Sequence, residues 1–331
     1  VTKIDLITTD GRIWHKEKFL IELSIAMCQS QDITIDLNTE GPDLDTLDVY
    51  QYINDIADKT DYDKSRIEIR TGNIFEAHPE IRLRRNFPWM YLNWAKEQAS
   101  VRAPMIKQFD HNFRTFGSFV ARSNWHRLKL ASYLHSRHAS RTLQSFHYDP
   151  GNDYHNQNIG IEDLINFNHI DRLDDIVHLW KNSPITLDDV YIYPITNPAG
   201  YGLINHYQHF FVEIVTETYS MGNTFFPTEK TWRPMVMMTP FMVQGPQWYI
   251  SRLRRLGFKT FDQWWDEGYN EDHYSGQCTD IEKNLDRLAT WSLNEIQQTY
   301  TEMLPILKHN RDRLLNLDHQ EVIALIQSET R

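Results

Sequence analysis

Strand-like and helix-like segments alternate along this chain, and that alternation constrains the fold more than any other feature of its sequence. Residues 3–9 (KIDLITT) form an alternating apolar run closed by the turn pair Asp10-Gly11. HKEKFLIELSIAMCQS carries apolar residues at helical spacing, and DITIDLN returns to strand periodicity. DVYQYINDIADKT predicts a second helix, SRIEIRTGN a third strand and PWMYLNWAKEQ a further helix. Strands separated by helical crossovers pair in parallel, which predicts an α/β sheet.

The pattern restarts around 113–117. GSFVAR reads as a short strand, NWHRLKLASYLHSR as a helix with Asn124 at its cap, and RTLQSFHY as the next strand. IEDLINF and DRLDDIVHLWKNS predict helices, DVYIYPIT an extended segment, and NHYQHFFVEIVTET a short helix feeding a strand at 210–216. PFMVQG is a last strand, PQWYISRLRRLG a helix with proline at its start, and the chain beyond Asp262 is helical. The expected organisation is an N-terminal α/β domain over 1–115 and a C-terminal α/β domain over 116–331. Both would be doubly wound and face a cleft, with a helical C-terminal tail.

At 331 residues the chain has room for two such domains at about 150 residues each. No run of eighteen apolar residues occurs, so no membrane span is expected. The sequence starts directly in a strand pattern without signal-peptide architecture, and Cys28 and Cys278 fit no disulfide or metal spacing, so a cytoplasmic location is expected. A net charge of −11 disfavours indiscriminate nucleic-acid binding. The basic runs at 81–87, 121–129 and 251–259 read as solvated helix faces. His135/His138 and His206/His209 are spaced to share helix faces, but neither pair has a carboxylate at ligand spacing, and no metal is predicted.

Two strand ends in the second half carry groups suited to phosphate. FVARSNWHR leaves a strand and puts Arg122, Ser123, Asn124 and Arg127 in the turn and first helical turn. FFVEIVTET ends at Glu217, and PTEKTW starts a helix with Thr228 as cap, then Glu229 and Lys230. Ligands of open parallel sheets sit at strand carboxyl ends, and a helix N-terminus attracts anions. Lys230 in a first helical turn opposes the helix dipole, a conflict that a bound diphosphate would remove.

A strand, a terminal glutamate, a polar loop, Thr-Glu-Lys at a helix start and an apolar strand ending in glycine resemble the donor site of α-1,3-fucosyltransferases. SFVARSNWHRLKLASYL is similar to that family's earlier strand-turn-helix, and the likeness covers 119–245 in pieces. LRRLGFKTFDQWWDEGYNE resembles uncharacterised glycosyltransferase-like proteins of phages and aquatic bacteria. The resemblance implies two Rossmann-like domains in a GT-B-like arrangement and a metal-independent, inverting sugar transfer. It also implies a GDP- or UDP-linked sugar as co-substrate, no permanently bound cofactor and a glycan acceptor. Arg127 and Lys230 would hold the diphosphate, Glu229 the ribose hydroxyls, and Glu217 the ribose or sugar, with Arg122, Asn124 and Thr228 completing the donor site. Twelve positions separate Glu217 from Glu229, a longer loop than the family's pattern.

On the acceptor side, Asp10 at the end of the first strand is the expected general base, with His15 and Asp110 as rivals. Asp10 also suits a plain Asp-Gly turn. Two alternatives stand beside this expectation: a phage-type enzyme glycosylating hydroxymethylated pyrimidines in DNA, and a non-catalytic carbohydrate- or partner-binding module on the same fold.

Overall fold

A computed structural model of the chain describes residues 1–9, 11–38, 40–120, 124–147, 164–165, 169–187 and 201–329. Their strands form two parallel four-stranded sheets accompanied by helices, an α/β architecture. The first sheet begins with β1 (Thr2–Asp5), after which the chain makes a small antiparallel hairpin, β2 (Thr8–Thr9) and β3 (Arg12–Ile13). The continuous strand expected over 3–9 is thus two pieces. Only its first part finds a partner in β4, while Thr8 and Thr9 turn back onto Arg12 and Ile13.

Helix α1 (Lys16–Cys28), β4 (Ile33–Asp36), α2 (Val49–Thr60), β5 (Ile67–Thr71) and β6 (Arg82–Arg85) follow in order. Spatial order equals chain order, β1-β4-β5-β6, so right-handed crossovers carry α1 and α2 to the same face. The register explains the alternating sequence: Ile4, Ile35, Ile69 and Leu83 pair across the sheet on the helix-covered face. Asp5, Asp36, Arg70 and Arg84 pair on the other face, which stays polar. The basic run at 81–87 is therefore a strand and not a helix face.

Helix α3 (Trp89–Val101) buries Leu92, Ala95 and Ala99 in the core of the second sheet. That sheet contains β7 (Arg114–Val120), β8 (Thr142–Phe146), β9 (Phe210–Thr216) and β10 (Phe241–Gln244), in spatial order β10-β9-β7-β8. The chain leaves β7 through α4 (Trp125–His138) to reach β8, passes α5 (Leu173–Lys181), and returns across β7 to β9. The order therefore reverses between β7 and β9. The segment DVYIYPIT and most of IEDLINF lie outside the described residues.

Helix α6 (Glu229–Val236) connects β9 to β10, and α7 (Tyr249–Arg255) follows β10. The proline of PQWYISRLRRLG lies before α7, whose start is Trp248 in a left-handed conformation at φ 67°. Helices α8 (Tyr274–Ala289), α9 (Leu293–Asn316) and α10 (His319–Glu329) form the tail. Ser292 and Glu295 cap α9 reciprocally. The tail ties back to α3: Lys96 Nζ donates to Leu317 O at 2.7 Å, and Arg311 donates to Ala99 O at 2.7 Å and to Val236 O.

Two basic runs expected at the surface are partly interior. Arg127 and Lys129 are buried in α4, with Lys129 paired to Asp171 at 3.3 Å, and Arg252 is buried in α7. Helix α4 lies between the sheet and surrounding helices, so its basic residues find partners inside the protein.

Candidate active site

The order reversal puts the carboxyl ends of β7 and β9 side by side, the position where open α/β sheets bind ligands. Glu217 follows β9 directly and is 1% exposed. Its carboxylate accepts from Thr218 N (3.1 Å), Thr228 N (3.1 Å), Thr228 Oγ1 (2.7 Å), Thr231 Oγ1 (2.6 Å) and Tyr249 OH (3.2 Å). A carboxylate has about four lone-pair positions, so these five donors saturate it. The carboxylate that the resemblance implies for ribose or sugar is thus occupied by groups of its own chain. Glu217 fastens the start of α6 to the end of β9.

The β7 side joins at the same residue through its main chain. His126 Nε2 lies 2.8 Å from Glu217 O, and Arg127 Nη2 donates to the same oxygen at 3.3 Å. Burial, together with the positive charge of Arg127, holds the His126 pKa well below the usual imidazole value. Asn124 occupies the cap position of α4 but makes no side-chain cap bond. Its Oδ1 is buried without a hydrogen-bond partner among the described residues. Arg122 and Ser123 lie outside the described residues.

At the start of α6 the Thr228 hydroxyl caps the helix by accepting from Lys230 N at 3.4 Å. The Lys230 ammonium is 3.0 Å from Glu229 Oε1, 3.1 Å from Thr228 Oγ1 and 3.4 Å from Thr218 Oγ1. The cation expected to lack a partner at this helix start is thus paired with its neighbour. Burial opposes ionisation of Glu229, but the charges of Lys230 and Arg233 outweigh it and hold the carboxyl below its usual range. The side chains of Glu229 and Lys230 are 21% and 17% exposed, so the pair faces solvent at the strand ends. Arg127, Glu217, Thr228, Glu229 and Lys230 therefore converge on one place, with only Glu229 and Lys230 at its surface.

The loop between Glu217 and α6 bridges to the first sheet. Tyr219 OH donates to Glu40 Oε2, Thr224 Oγ1 donates to Gly41 O at 2.6 Å, and Asn73 Nδ2 donates to Asn223 O at 3.0 Å. Its extra length is used for this contact. Glu40 lies past the carboxyl end of β4, and Tyr219, the residue after the Thr218 that Lys230 touches, holds its carboxylate. The sequence gives no periodic signal for this pairing. Asp10 lies outside the described residues. His15 precedes α1 in a left-handed conformation, and Asp110 stands before the amino end of β7, opposite the strand ends of the site.

Beneath α6, an ionic network escaped the sequence reading altogether. Arg233 donates to Glu213 Oε1 at 2.7 Å and to Tyr207 OH at 2.5 Å, and Tyr207 OH donates to Glu213 Oε2. Lys107 donates to Tyr207 O (2.6 Å), Phe210 O (2.8 Å) and Thr239 Oγ1 (2.8 Å), and burial drives its pKa well below the usual lysine value. The network holds β9 and α6 in a fixed relation from below.

A cavity of about 460 Å³ lined by Ala57, Asp58, Asp61, Tyr62 and Asp63 lies at the far end of α2, near the amino end of β5. Its acidic wall is unsuited to a diphosphate. Among the described residues no group of three or more His, Cys, Asp or Glu is placed to hold a metal ion, and no helix is long and apolar enough to cross a membrane.

No family model matches the chain, and no curated protein matches it in sequence. Among solved structures it is similar to an alpha,alpha-trehalose-phosphate synthase (UDP-forming) from Burkholderia vietnamiensis, at 12% identity and a TM-score of 0.38, over 98% of this chain and 72% of that one. A similarity of that size carries no functional argument. The resemblance to fucosyltransferases rests on the motif residues alone.

Proposed function

We propose that the chain is a metal-independent, inverting glycosyltransferase that uses a GDP- or UDP-linked sugar, built on two Rossmann-like domains. The observation that carries this reading is the meeting of Arg127, Thr228, Glu229 and Lys230 where the strand order of the second sheet reverses. A diphosphate entering there would draw the Lys230 ammonium from Glu229, leaving that carboxylate to accept from two ribose hydroxyls. Lys230 and the start of α6 would then stabilise the charge that builds on the departing diphosphate. A base on the first-sheet side would take the acceptor proton. Asp10 remains one candidate, and Glu40, oriented by Tyr219, is the other.

Two observations favour a second reading, a non-catalytic binding module. Glu217 is saturated internally, and Lys230 already has an acidic partner without ligand. A thermal-shift panel of nucleoside diphosphates separates the two, because selective binding stabilises the native state by mass action. A rise in Tm with UDP or GDP, followed by release of that nucleotide from its sugar conjugate with an acceptor glycan, supports the enzyme. No shift with any nucleoside diphosphate removes the donor-site reading.

A further inference from the structure

The bridge between the sheets contains a buried carboxyl with an unusual set of partners. Glu76 follows β5, is 6% exposed, and accepts from Leu44 N at 2.7 Å, Tyr50 OH at 2.7 Å and Asn73 Nδ2 at 3.2 Å. The same Asn73 Nδ2 also donates to Pro42 O at 3.2 Å and, across to the second sheet's loop, to Asn223 O at 3.0 Å. One amide nitrogen with two hydrogens thus faces three acceptors. On the other side of Asn223, its N–H donates to Asp43, and Arg252 donates to its Oδ1 at 2.5 Å and to Thr224 O at 2.8 Å.

We infer that Glu76 is a proton-operated positioning residue. When it takes up a proton it frees the Asn73 amide for Asn223 and tightens the 218–226 loop on the first sheet. The proton sits on Oε2, where the Tyr50 hydroxyl can turn to accept it, and Oε1 becomes a neutral carbonyl, a weaker acceptor than a carboxylate, so the two Asn73 hydrogens go to Pro42 O and Asn223 O. The loop held in this way carries Thr218 and Tyr219, so the contact sets their position beside Lys230 and Glu40.

The surroundings favour the protonated form. Burial pushes the Glu76 carboxyl up to about 7, opposed by the bonds from Tyr50 and Leu44 N and reinforced by Asp43 and Asp45. The other charged or titratable groups facing it are His78, stacked 4.6 Å from the Tyr50 ring, Arg85, which donates to Glu76 O at 3.2 Å, and Arg252, lying over the Phe75 ring at 4.2 Å. With the contact open, Asn223 O no longer competes for the Asn73 hydrogens, so the amide bonds Glu76 more fully and draws its pKa towards the ordinary carboxyl value. The closed contact therefore binds the proton more tightly, strengthens as pH falls through about 7 and weakens above it.

Hydrogen exchange of the peptide spanning 218–226, in the full chain without ligand and corrected for intrinsic pH dependence, reads the contact directly. If opening returns the carboxyl by one pKa unit, protection should be about fivefold greater at pH 6 than at pH 8. Glu76→Gln, neutral with one acceptor and one donor group, should be as protected at pH 8 as wild type is at pH 6. Tyr50→Phe, which removes a bond favouring the ionised form, should move the midpoint to higher pH. Flat or inverted pH dependence in wild type overturns the inference, as does an unchanged profile in both variants. The experiment needs no nucleotide, so its outcome is independent of the donor-site reading.

Discussion

Glu229 and Lys230 are neighbours in sequence and partners in space, with the ammonium 3.0 Å from the carboxylate at the first turn of α6. The pair removes the conflict of a lone cation with the helix dipole, and it leaves both groups partly exposed at the strand ends. Lys230→Met should therefore destabilise the ligand-free protein slightly, by about 0.5–1 kcal/mol, as for a partly exposed ion pair. Chemical denaturation of both proteins checks this. A gain in stability would mean that the pairing does not persist in solution.

Glu217 should behave as a structural residue. Replacing it by Gln puts an amide donor among five hydrogen-bond donors, which should cost on the order of 2–4 kcal/mol. Urea unfolding of Glu217→Gln measures the loss. A change below about 0.5 kcal/mol would contradict the saturated carboxylate, since that is the range of ordinary surface substitutions.

The buried pair of Arg233 and Glu213 should show strong coupling. Removing either partner leaves an uncompensated charge and should cost about 3–5 kcal/mol, whereas the double replacement Arg233→Met with Glu213→Leu should cost much less than the sum. A double-mutant cycle by denaturant titration decides it, and additive losses would rule out the coupling.

These residues mark the limit of what the sequence discloses. The parallel α/β architecture was legible because apolar periodicity switches between strand and helix spacing. The cap at Thr228 was legible because side chain and helix start are local. Glu213 and Arg233 lie twenty positions apart inside apolar runs, and Glu40 meets Tyr219 across 179 positions. Local pattern carries no trace of such pairings. The same limit made Lys129 and Arg252 look solvated, since charge alone does not say which face of a helix is covered.

His169 gives a pH prediction with a definite sign. Burial, with the nearby charge of Lys129, pushes its pKa down to about 4. The unfolded chain binds this proton below the ordinary imidazole value of about 6.5, while the folded chain resists it until pH 4. Its contribution is present above pH 6.5 and lost as pH falls towards 4. The stability difference between wild type and His169→Gln should thus shrink by about 3 kcal/mol between pH 7 and pH 4. Parallel denaturation curves across that window would refute a buried neutral His169.

Gly41 tests the bridge between the sheets. A Cβ there would lie 2.6 Å from Phe226 Cδ2, 2.7 Å from Gly72 C and 2.8 Å from Asn73 N. Gly41→Ala should cost about 1–3 kcal/mol and raise hydrogen exchange in 218–226, because backbone must move on the side where Thr224 and Asn73 bond. Unaltered exchange would show that the loop does not rest on this close approach.

Calorimetric binding of a nucleoside and its diphosphate to wild type and Lys230→Met tests whether Lys230 holds the diphosphate. A diphosphate covering the partly exposed Lys230 would exclude water there and make the cation–phosphate attraction stronger than at an open surface. Wild type should bind UDP or GDP more tightly than uridine or guanosine. Lys230→Met should lose at least about tenfold in diphosphate affinity, equivalent to 1.4 kcal/mol, with little change for the nucleoside. Equal loss for both ligands, or no binding of either nucleoside diphosphate by wild type, would contradict that role of Lys230.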